Sequence, residues 1–402
     1  MIPLGEAQDY VLERASRLPE ETVDITSARE QVTAEAVISG ELVPPFDNTA
    51  VDGYAVKAAD TDGASESNEV TLEVIGTIPA GTQPDFRIEN GQSAKIMTGA
   101  PLPEGADSIV MVEWTREGET KDLVRLNRSA KKGDHIRRSG EDLCPGDQVI
   151  DKGTALTPAH IGLLAGLGIY QVKTVQRPTV GIFSTGDELV EGNEPLLPGQ
   201  IRDSNRFSLV ALLESDGFKT VDLGLIPDNE EAIETTVREG VAKCDALVTT
   251  GGVSMGDYDY VKVVLNKMGD MRWMQIAIKP AKPFAFGVVQ GVPIFGLPGN
   301  PVSSMVSYLL LAKPALNKMM GKKSVFPQVF HGIAAGDFRR RADGKTHFVR
   351  SFLHEEKGAT LLSPIGKQGS HQLSGMAEAN TLSIIPDGEG VPKGNPIEYF
   401  RF

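Results

Sequence analysis

A chain of 402 residues that is 40% apolar and 23% charged has room for two to four domains of about 150 residues, each with its own core. Its 43 Gly and 25 Pro fall below the roughly 25–30% share of a low-complexity chain, which excludes disordered and collagen-like classes. Fifty-four acids against 40 Lys and Arg leave a net charge of −14, which opposes binding to nucleic acid or to an anionic membrane; the longest basic run is only Arg339-Arg340-Arg341.

Two cysteines, Cys144 and Cys244, form neither a C-x-x-C pair nor a zinc spacing, so a reducing compartment is expected. The first 13 residues carry acids where an export signal needs a basic start and an apolar middle, and the most apolar stretch, 302–312, is far short of the ~20 residues that span a bilayer. The expectation is a cytoplasmic protein with no nucleic-acid and no membrane partner.

In chain order, the spacing of Ala7, Tyr10, Val11, Arg14 and Ala15 predicts an amphipathic helix over 5–17, stopped before Pro19. Short β-like runs at 70–75, 93–97 and 108–112, separated by Gly/Pro turns, predict a β-rich module over 45–139. Within it, Asp52-Gly53 between apolar residues predicts a local hairpin around 44–56. A turn at Pro145-Gly146 and a helix opened by Thr157-Pro158 and running to Leu167 lead back toward the N-terminal segment. Residues 1–44 and 140–177 are therefore expected to form one elongated, discontinuous linker domain.

Between 178 and 324 the pattern becomes buried strand, glycine loop, helix. Strands at 179–183, 219–225, 246–249 and 292–295 alternate with helices at 204–215, 229–242, 258–268 and 301–319, which predicts a doubly wound, mostly parallel α/β domain. The last stretch, 325–402, reads as strands broken by Gly, Pro, Asn and Asp, hence a small β-barrel or sandwich.

In a parallel sheet, ligands bind where the strands end. The loops there read Ser184-Thr185-Gly186-Asp187-Glu188, Pro227-Asp228, Thr250-Gly251-Gly252-Val253-Ser254-Met255-Gly256-Asp257-Tyr258-Asp259 and Gly296-Leu297-Pro298-Gly299-Asn300-Pro301. The Thr250 loop offers unhindered backbone N–H groups at a helix start, which suits a phosphate or another oxyanion, or serves as a plain tight turn. Asn300-Pro301 reads as an N-cap with proline at the first helical position, and with Gly296, Gly299 and Ser303 as a second anion seat. Neither the P-loop nor the dinucleotide fingerprint occurs.

Asp187, Glu188, Asp228, Asp257 and Asp259 fall on the same rim, and carboxylates that close are costly without a cation between them; Mg²⁺ or Mn²⁺ suits all-oxygen ligation. Each acid also has a local reading: Asp228 with Glu231 as a capping box, Asp257 as a cap, Asp203 with Asn205 as another. Lys279 and Lys282, in the stiff run Ile278-Lys279-Pro280-Ala281-Lys282-Pro283, are candidate anion clamps or solvated surface. The six histidines show no H-x-x-x-H pair and support no hydrolytic triad.

Taken together, the motifs resemble the MoeA/gephyrin E-domain family of molybdenum insertases. The resemblance rests on P-P-F-D-N-T-A-V-D-G-Y-A-V at 44–56, I-M-T-G-A-P-L-P-E-G-A-D at 96–107, I-R-R-S-G-E-D at 136–142, S-T-G-D-E-L at 184–189 and D-S-N at 203–205. It continues through T-G-G-V-S-M-G at 250–256, I-K-P-A-K-P at 278–283 and G-L-P-G-N-P-V-S at 296–303. It implies a MogA-like molybdopterin-binding α/β domain over 178–324 and a C-terminal β-barrel over 325–402. The implied reaction joins adenylylated molybdopterin and molybdate to give Mo-molybdopterin and AMP, with Mg²⁺ or another divalent cation. It further implies a homodimer and contact with a MogA-type molybdopterin adenylyltransferase.

Residue by residue, the resemblance places Asp52, Thr98 and Asp142 in or near the active cleft and makes Glu188, Asp228 and Asp259 cofactor- and metal-handling acids. Lys279, Lys282, Ser303, Arg350 and Ser374 fall in its molybdate region. Thr185, Gly186, Asp187, Asp203, Asn205, Gly251, Gly252, Ser254, Pro298, Gly299 and Asn300 complete the expected cofactor-binding set. Two positions depart from the family pattern: Ala281 stands where Gly is usual, and Gln275 where some members have Lys. The competing readings are a gephyrin-like scaffold and another nucleotide-dependent transferase or pyrophosphatase on the same α/β domain.

Overall fold

The computed structural model describes residues 1–252 and 260–402. They divide into two compact units: Met1–Glu35, Lys152–Ala165 and Ile169–Phe402 form the larger, and Ala36–Asp151 with Gly166–Gly168 the smaller.

In the larger unit the chain opens with helix α1 (Leu4–Arg14), which buries Ala7 and Val11, four residues apart on one face. The strands Glu20–Asp24 and Val32–Thr33 both pair with Gln171–Val175, so the N-terminal segment and residues 171–175 share one small sheet.

The central sheet has six strands: β1 (Thr179–Thr185), β2 (Lys219–Ile226), β3 (Ala246–Thr250), β4 (Asp270–Gln275), β5 (Pro283–Val289) and β6 (Val292–Leu297), in the order β2-β1-β3-β6-β5-β4. β2, β1, β3 and β6 are parallel, and β5 runs antiparallel to both β6 and β4. The middle strands are covered on both faces: Val180, Ile182, Phe183, Leu247 and Val248 are fully buried, which is why they read as unbroken apolar runs. The edge pair β4 and β5 is an addition to the four strands expected. β4 is D-M-R-W-M-Q, mostly half-buried, and carries no apolar run by which to recognise it.

Helices α2 (Asn205–Ser215), α3 (Glu230–Lys243) and α4 (Tyr260–Met268) connect the strands. The expected helix over 301–319 is present but is not a regular α-helix: Pro301–Ser307 leads into a π-helical turn, Tyr308–Ala312, and then Lys313–Met319. Pro314 explains the interruption, because it has no N–H to give the Leu310 carbonyl four residues earlier and its ring crowds that oxygen. The freed carbonyl accepts a hydrogen bond from Gln8 Nε2 of α1 at 3.0 Å. Nearby, the buried Tyr308 hydroxyl and the Lys313 ammonium both donate to Asp216, each at 2.6 Å.

The C-terminal region closes on itself. Strands β7 (Phe330–Ala334), β8 (Thr346–Glu356), β9 (Ala359–Pro364), β10 (Thr381–Ile385) and β11 (Pro396–Arg401) pair in the ring β8-β9-β7-β11-β10-β8, a five-stranded barrel that leaves no open edge among these strands. A two-residue strand, Ile278–Lys279, joins it to the α/β domain by running parallel to the start of β8, with Lys279 opposite His347. One core unites Ala7 and Val11 of α1, Val180 and Phe286 of the central sheet and Phe348, Leu382 and Phe400 of the barrel.

The smaller unit is built on a six-stranded sheet with Gly53–Val56 between Gln92–Ile96 and Ser108–Met111. The hairpin expected around Asp52-Gly53 does not form: Asn48–Thr49 pairs with Ile136–Arg137, while Gly53–Val56 enters the sheet. Gly53 serves close packing rather than a turn, since a Cβ there would lie 2.1 Å from the Val110 carbonyl oxygen.

Replacing Gln8 with Ala leaves the Leu310 carbonyl without its donor. The expected loss is about 1 kcal/mol, read as a lower urea midpoint with an unchanged slope.

Candidate active site

The parallel strands bring Gly186-Asp187-Glu188 after β1, Asp228 after β2, Gly251-Gly252 after β3 and Pro298-Gly299-Asn300 after β6 to one edge of the sheet. Gly251 has a φ of 89° and its missing Cβ would sit 2.6 Å from the Thr185 carbonyl oxygen, so no other residue fits that approach. Asn205 ties two of the loops together: its Nδ2 donates to Thr250 Oγ1 at 2.7 Å and to the Gly299 carbonyl at 2.8 Å. Thr185 and Thr250 are buried behind the loops they begin.

Asp203 sits apart from this edge chemically. It is buried, pairs with Arg206 Nε at 3.1 Å and accepts the Arg206 backbone N–H at 3.2 Å, while the same guanidinium also meets Asp222 and Glu191. Its charge is answered inside the protein.

The acids at the strand ends do converge. The Asp228 N–H donates to Asp187 Oδ1 at 3.4 Å. The Asp228 carboxyl is pushed above its usual range, first by burial and then by the negative charges of Asp187 and Glu188. Asp228 does not cap α3 as the capping-box reading has it. Asn229 does, accepting the Ala232 N–H at 2.9 Å, and Asp228 is left with no helix-capping role. Among the described residues no group of three acidic, His or Cys side chains is close enough to hold a metal ion. Asp259, Asp257 and Ser254 lie outside the described residues.

Ser303, in the first turn of the Pro301 helix, opens onto a cavity of about 850 Å³ between the α/β domain and the barrel. Asn300 occupies the N-cap position without a side-chain capping bond, and Pro301 takes the first turn as expected. Lys279 and Lys282 line the cavity, both exposed and neither in an ion pair among the described residues. Between them Ala281 has a φ of 75°, the left-handed region that glycine takes without strain. The departure noted at this position therefore falls where backbone freedom matters.

Across the cavity stand Arg339, Arg341, Lys345 and His347 of the barrel. Burial raises the Asp343 carboxyl, but hydrogen bonds from Lys345 and His347 outweigh it and hold it down at about 2. Burial depresses the His347 pKa; Asp343 opposes this, and the Arg340 and Lys279 charges reinforce it.

Arg350 reaches the cavity only through a loop. Almost fully buried, it donates to the carbonyls of Gln372 at 3.0 Å and Gly369 at 3.1 Å, and burial disfavours its charge. The braced segment supplies Gln368, Gly369 and Ser370 to the cavity wall. Ser374 is exposed on the short helix Leu373–Glu378 and does not line the cavity. Ser370, His347 and the barrel cations Arg339, Arg341 and Lys345 carried little signal in the sequence; the Arg339-Arg340-Arg341 run was the one visible mark.

In the smaller unit, Asp52 Oδ1 accepts both the N–H and the hydroxyl of Thr98, each at 2.7 Å, which lowers the carboxyl's pKa. Asp142 is exposed on a turn whose N–H donates to the Val43 carbonyl at 2.9 Å.

A parallel α/β domain with glycine loops at its strand ends, clustered acids and a cation-lined cavity against a closed barrel defines an anion-handling protein of the α/β class. Three family models match in succession: the MoeA N-terminal region (domain I and II) over residues 2–168, a probable molybdopterin binding domain over 181–318 and the MoeA C-terminal region (domain IV) over 333–402. The chain is 39% identical to the molybdopterin molybdenumtransferase of Haemophilus influenzae, covering 97% of this chain and 96% of that one. It is 34% identical to the enzyme of the same name from Bacillus subtilis, with 99% and 93% covered. Among solved structures, the molybdopterin biosynthesis moeA protein of Pyrococcus horikoshii OT3 superposes with a TM-score of 0.83 at 31% identity, over 100% of both chains. The chain belongs to the MoeA family.

A carboxyl whose folded pKa is raised weakens the fold as pH rises through the interval between its unfolded and folded values, and the penalty is complete above it. Asp228→Asn is therefore expected to raise the thermal midpoint at pH 7 in the presence of a chelator. The gain should shrink as pH falls through ~4 and vanish below about pH 3, where the wild-type carboxyl is protonated in both states.

Proposed function

We propose that the protein is a molybdopterin molybdenumtransferase, which inserts molybdenum from molybdate into adenylylated molybdopterin and releases AMP in molybdenum cofactor biosynthesis. One observation carries the reading: Lys279 and Lys282 stand without ion-pair partners, among the described residues, on the wall of an 850 Å³ cavity in a chain of net charge −14. An acidic protein that keeps cations unneutralised in a cavity is built to receive an anion.

Lys279 and Lys282 hold the molybdate dianion and Ser303 hydrogen-bonds it at the turn that borders the rim. The backbone N–H groups of Gly251 and Gly252 receive the adenylyl-side phosphate of the substrate, and Asn205 keeps the Thr250 and Gly299 loops in register. Glu188 and Asp228, with Asp259, would hold a divalent cation. Their all-oxygen chemistry and the raised Asp228 carboxyl fit Mg²⁺, which when bound supplies Lewis-acid polarisation of the pyrophosphate. Asp52, Thr98 and Asp142 are the smaller unit's candidates for a part in the reaction. We extend the proposal to a cytoplasmic homodimer supplied with adenylylated molybdopterin by a MogA-type adenylyltransferase. Among the described residues no helix is long and apolar enough to cross a membrane. A scaffold role would leave the unneutralised lysines and the strained Ala281 without a purpose.

Incubating the purified protein with adenylylated molybdopterin, molybdate and Mg²⁺ is expected to release AMP together with metal-bound pterin. Asp228→Asn should reduce AMP release at least about a hundredfold, and Lys279→Gln should raise the molybdate concentration needed for half-maximal rate. Unchanged turnover by the Asp228 variant refutes its role.

A further inference from the structure

The cavity is larger than one oxyanion needs. Its 850 Å³ falls within the roughly 300–1,000 Å³ of pockets that enclose whole organic ligands, and its cations stand on two walls. Lys279 and Lys282 belong to the α/β wall, and Arg339, Arg341 and Lys345 to the barrel wall.

The barrel cations differ in what answers their charge. Arg339 pairs with Asp337 at 3.0 Å and Lys345 with Asp343 at 3.1 Å. Arg340, its side chain buried, donates to the carbonyls of Lys345 at 2.7 Å, Ile385 at 3.2 Å and Pro386 at 2.9 Å. It also meets the carboxylates of Asp343 at 2.7 Å and Asp387 at 2.6 Å. Asp387 in turn accepts the N–H groups of Asp343 at 3.0 Å and Gly344 at 3.1 Å. This network braces the chain around Arg341, whose guanidinium lines the cavity and has no hydrogen-bond or ion-pair partner among the described residues.

A guanidinium on a braced loop, facing a cavity and lacking a counter-ion, is preorganised for a two-oxygen acceptor. Phosphate meets its planar fork through two parallel N–H···O bonds, a match that lysine cannot make. We propose that Arg341 heads a second anion seat on the barrel wall, separate from the Lys279 and Lys282 seat, and that it takes the phosphate end of the pterin substrate. The ligand's identity rests on the molybdenum-transfer reading; the seat itself rests on the cavity and its charges. The two seats let one chamber hold the pterin phosphate and the incoming molybdate together, so that neither anion displaces the other.

Calorimetric titration of the full chain with inorganic pyrophosphate and, separately, with molybdate tests this. Arg341→Gln is expected to weaken pyrophosphate binding at least about tenfold and leave molybdate within about twofold, Lys279→Gln to do the reverse, and Arg341→Lys to fall between. The Arg341 side chain is exposed to the cavity, so the variant's thermal midpoint should match the wild type. Saturating molybdate should leave pyrophosphate binding intact. Competition between the two anions, equal loss of both in Arg341→Gln, or unchanged pyrophosphate affinity in that variant overturns the seat. Wild-type protein that binds pyrophosphate through Arg341 but no molybdate would instead sink the molybdenum-transfer reading and leave the seat standing.

Discussion

Charge held away from its counter-charge is the constraint on which the larger unit depends. Among the described residues Lys279 and Lys282 have no carboxylate partner although the chain carries 54 acids. Two acids that line the same cavity are already engaged, Asp337 by Arg339 and Asp343 by Arg340 and Lys345. At the strand ends the sign is reversed: burial first, and then the negative charges of Asp187 and Glu188, raise the Asp228 carboxyl above its usual range. Each cluster alone costs stability. Together they place a positive cavity wall and a cluster of carboxylates in the same unit, charges that the proposed reaction would use in opposite ways.

The fold supplies the rigidity this requires. One core runs from α1 through the central sheet into the barrel, so the two cavity walls share a packed interior. The barrel is closed, and the two-residue strand Ile278–Lys279 hydrogen-bonds to its longest strand, which sets Lys279 directly opposite His347. Register leaves little freedom here, since a slip of one residue would turn Lys279 to the other face. Site residues carried on strands and braced loops keep their spacing better than residues on free loops.

Much of this was legible in the sequence where local pattern and burial agree. The four parallel strands, their helices and the β-rich C-terminus follow from apolar runs punctuated by glycine. The edge strand β4 was not legible, because half-buried edge residues such as Arg272 and Gln275 carry no apolar period. Asp52-Gly53 misled for a related reason: a dipeptide that favours a turn is equally a place where backbone must approach backbone, and Val110 decides between them from 57 residues away. At the site, glycine loops and acids announced themselves by type and position. The barrel wall did not, because Arg339, Arg340 and Arg341 are alike in sequence. Only tertiary partners make the first an exposed ion pair, the second a buried brace and the third a guanidinium with no partner among the described residues.

Arg350 shows how far such division of labour extends. A guanidinium buried on carbonyl oxygens alone, with no carboxylate to offset its desolvation, is an expensive way to hold a loop, and an apolar residue would pack there at lower cost. What the arginine adds is direction. Its planar donors fix the carbonyls of Gly369 and Gln372, and the Ser370 carbonyl between them accepts the Val302 N–H at 3.1 Å. The loop is thereby locked to the helix that carries Ser303. Its charge also stays within the same low-dielectric wall, where screening by water is weakest and a positive field reaches the cavity with least attenuation. A hydrophobic substitute would keep the packing and lose both the lock and the field. Arg350 therefore braces one wall of the cavity without itself lining the chamber.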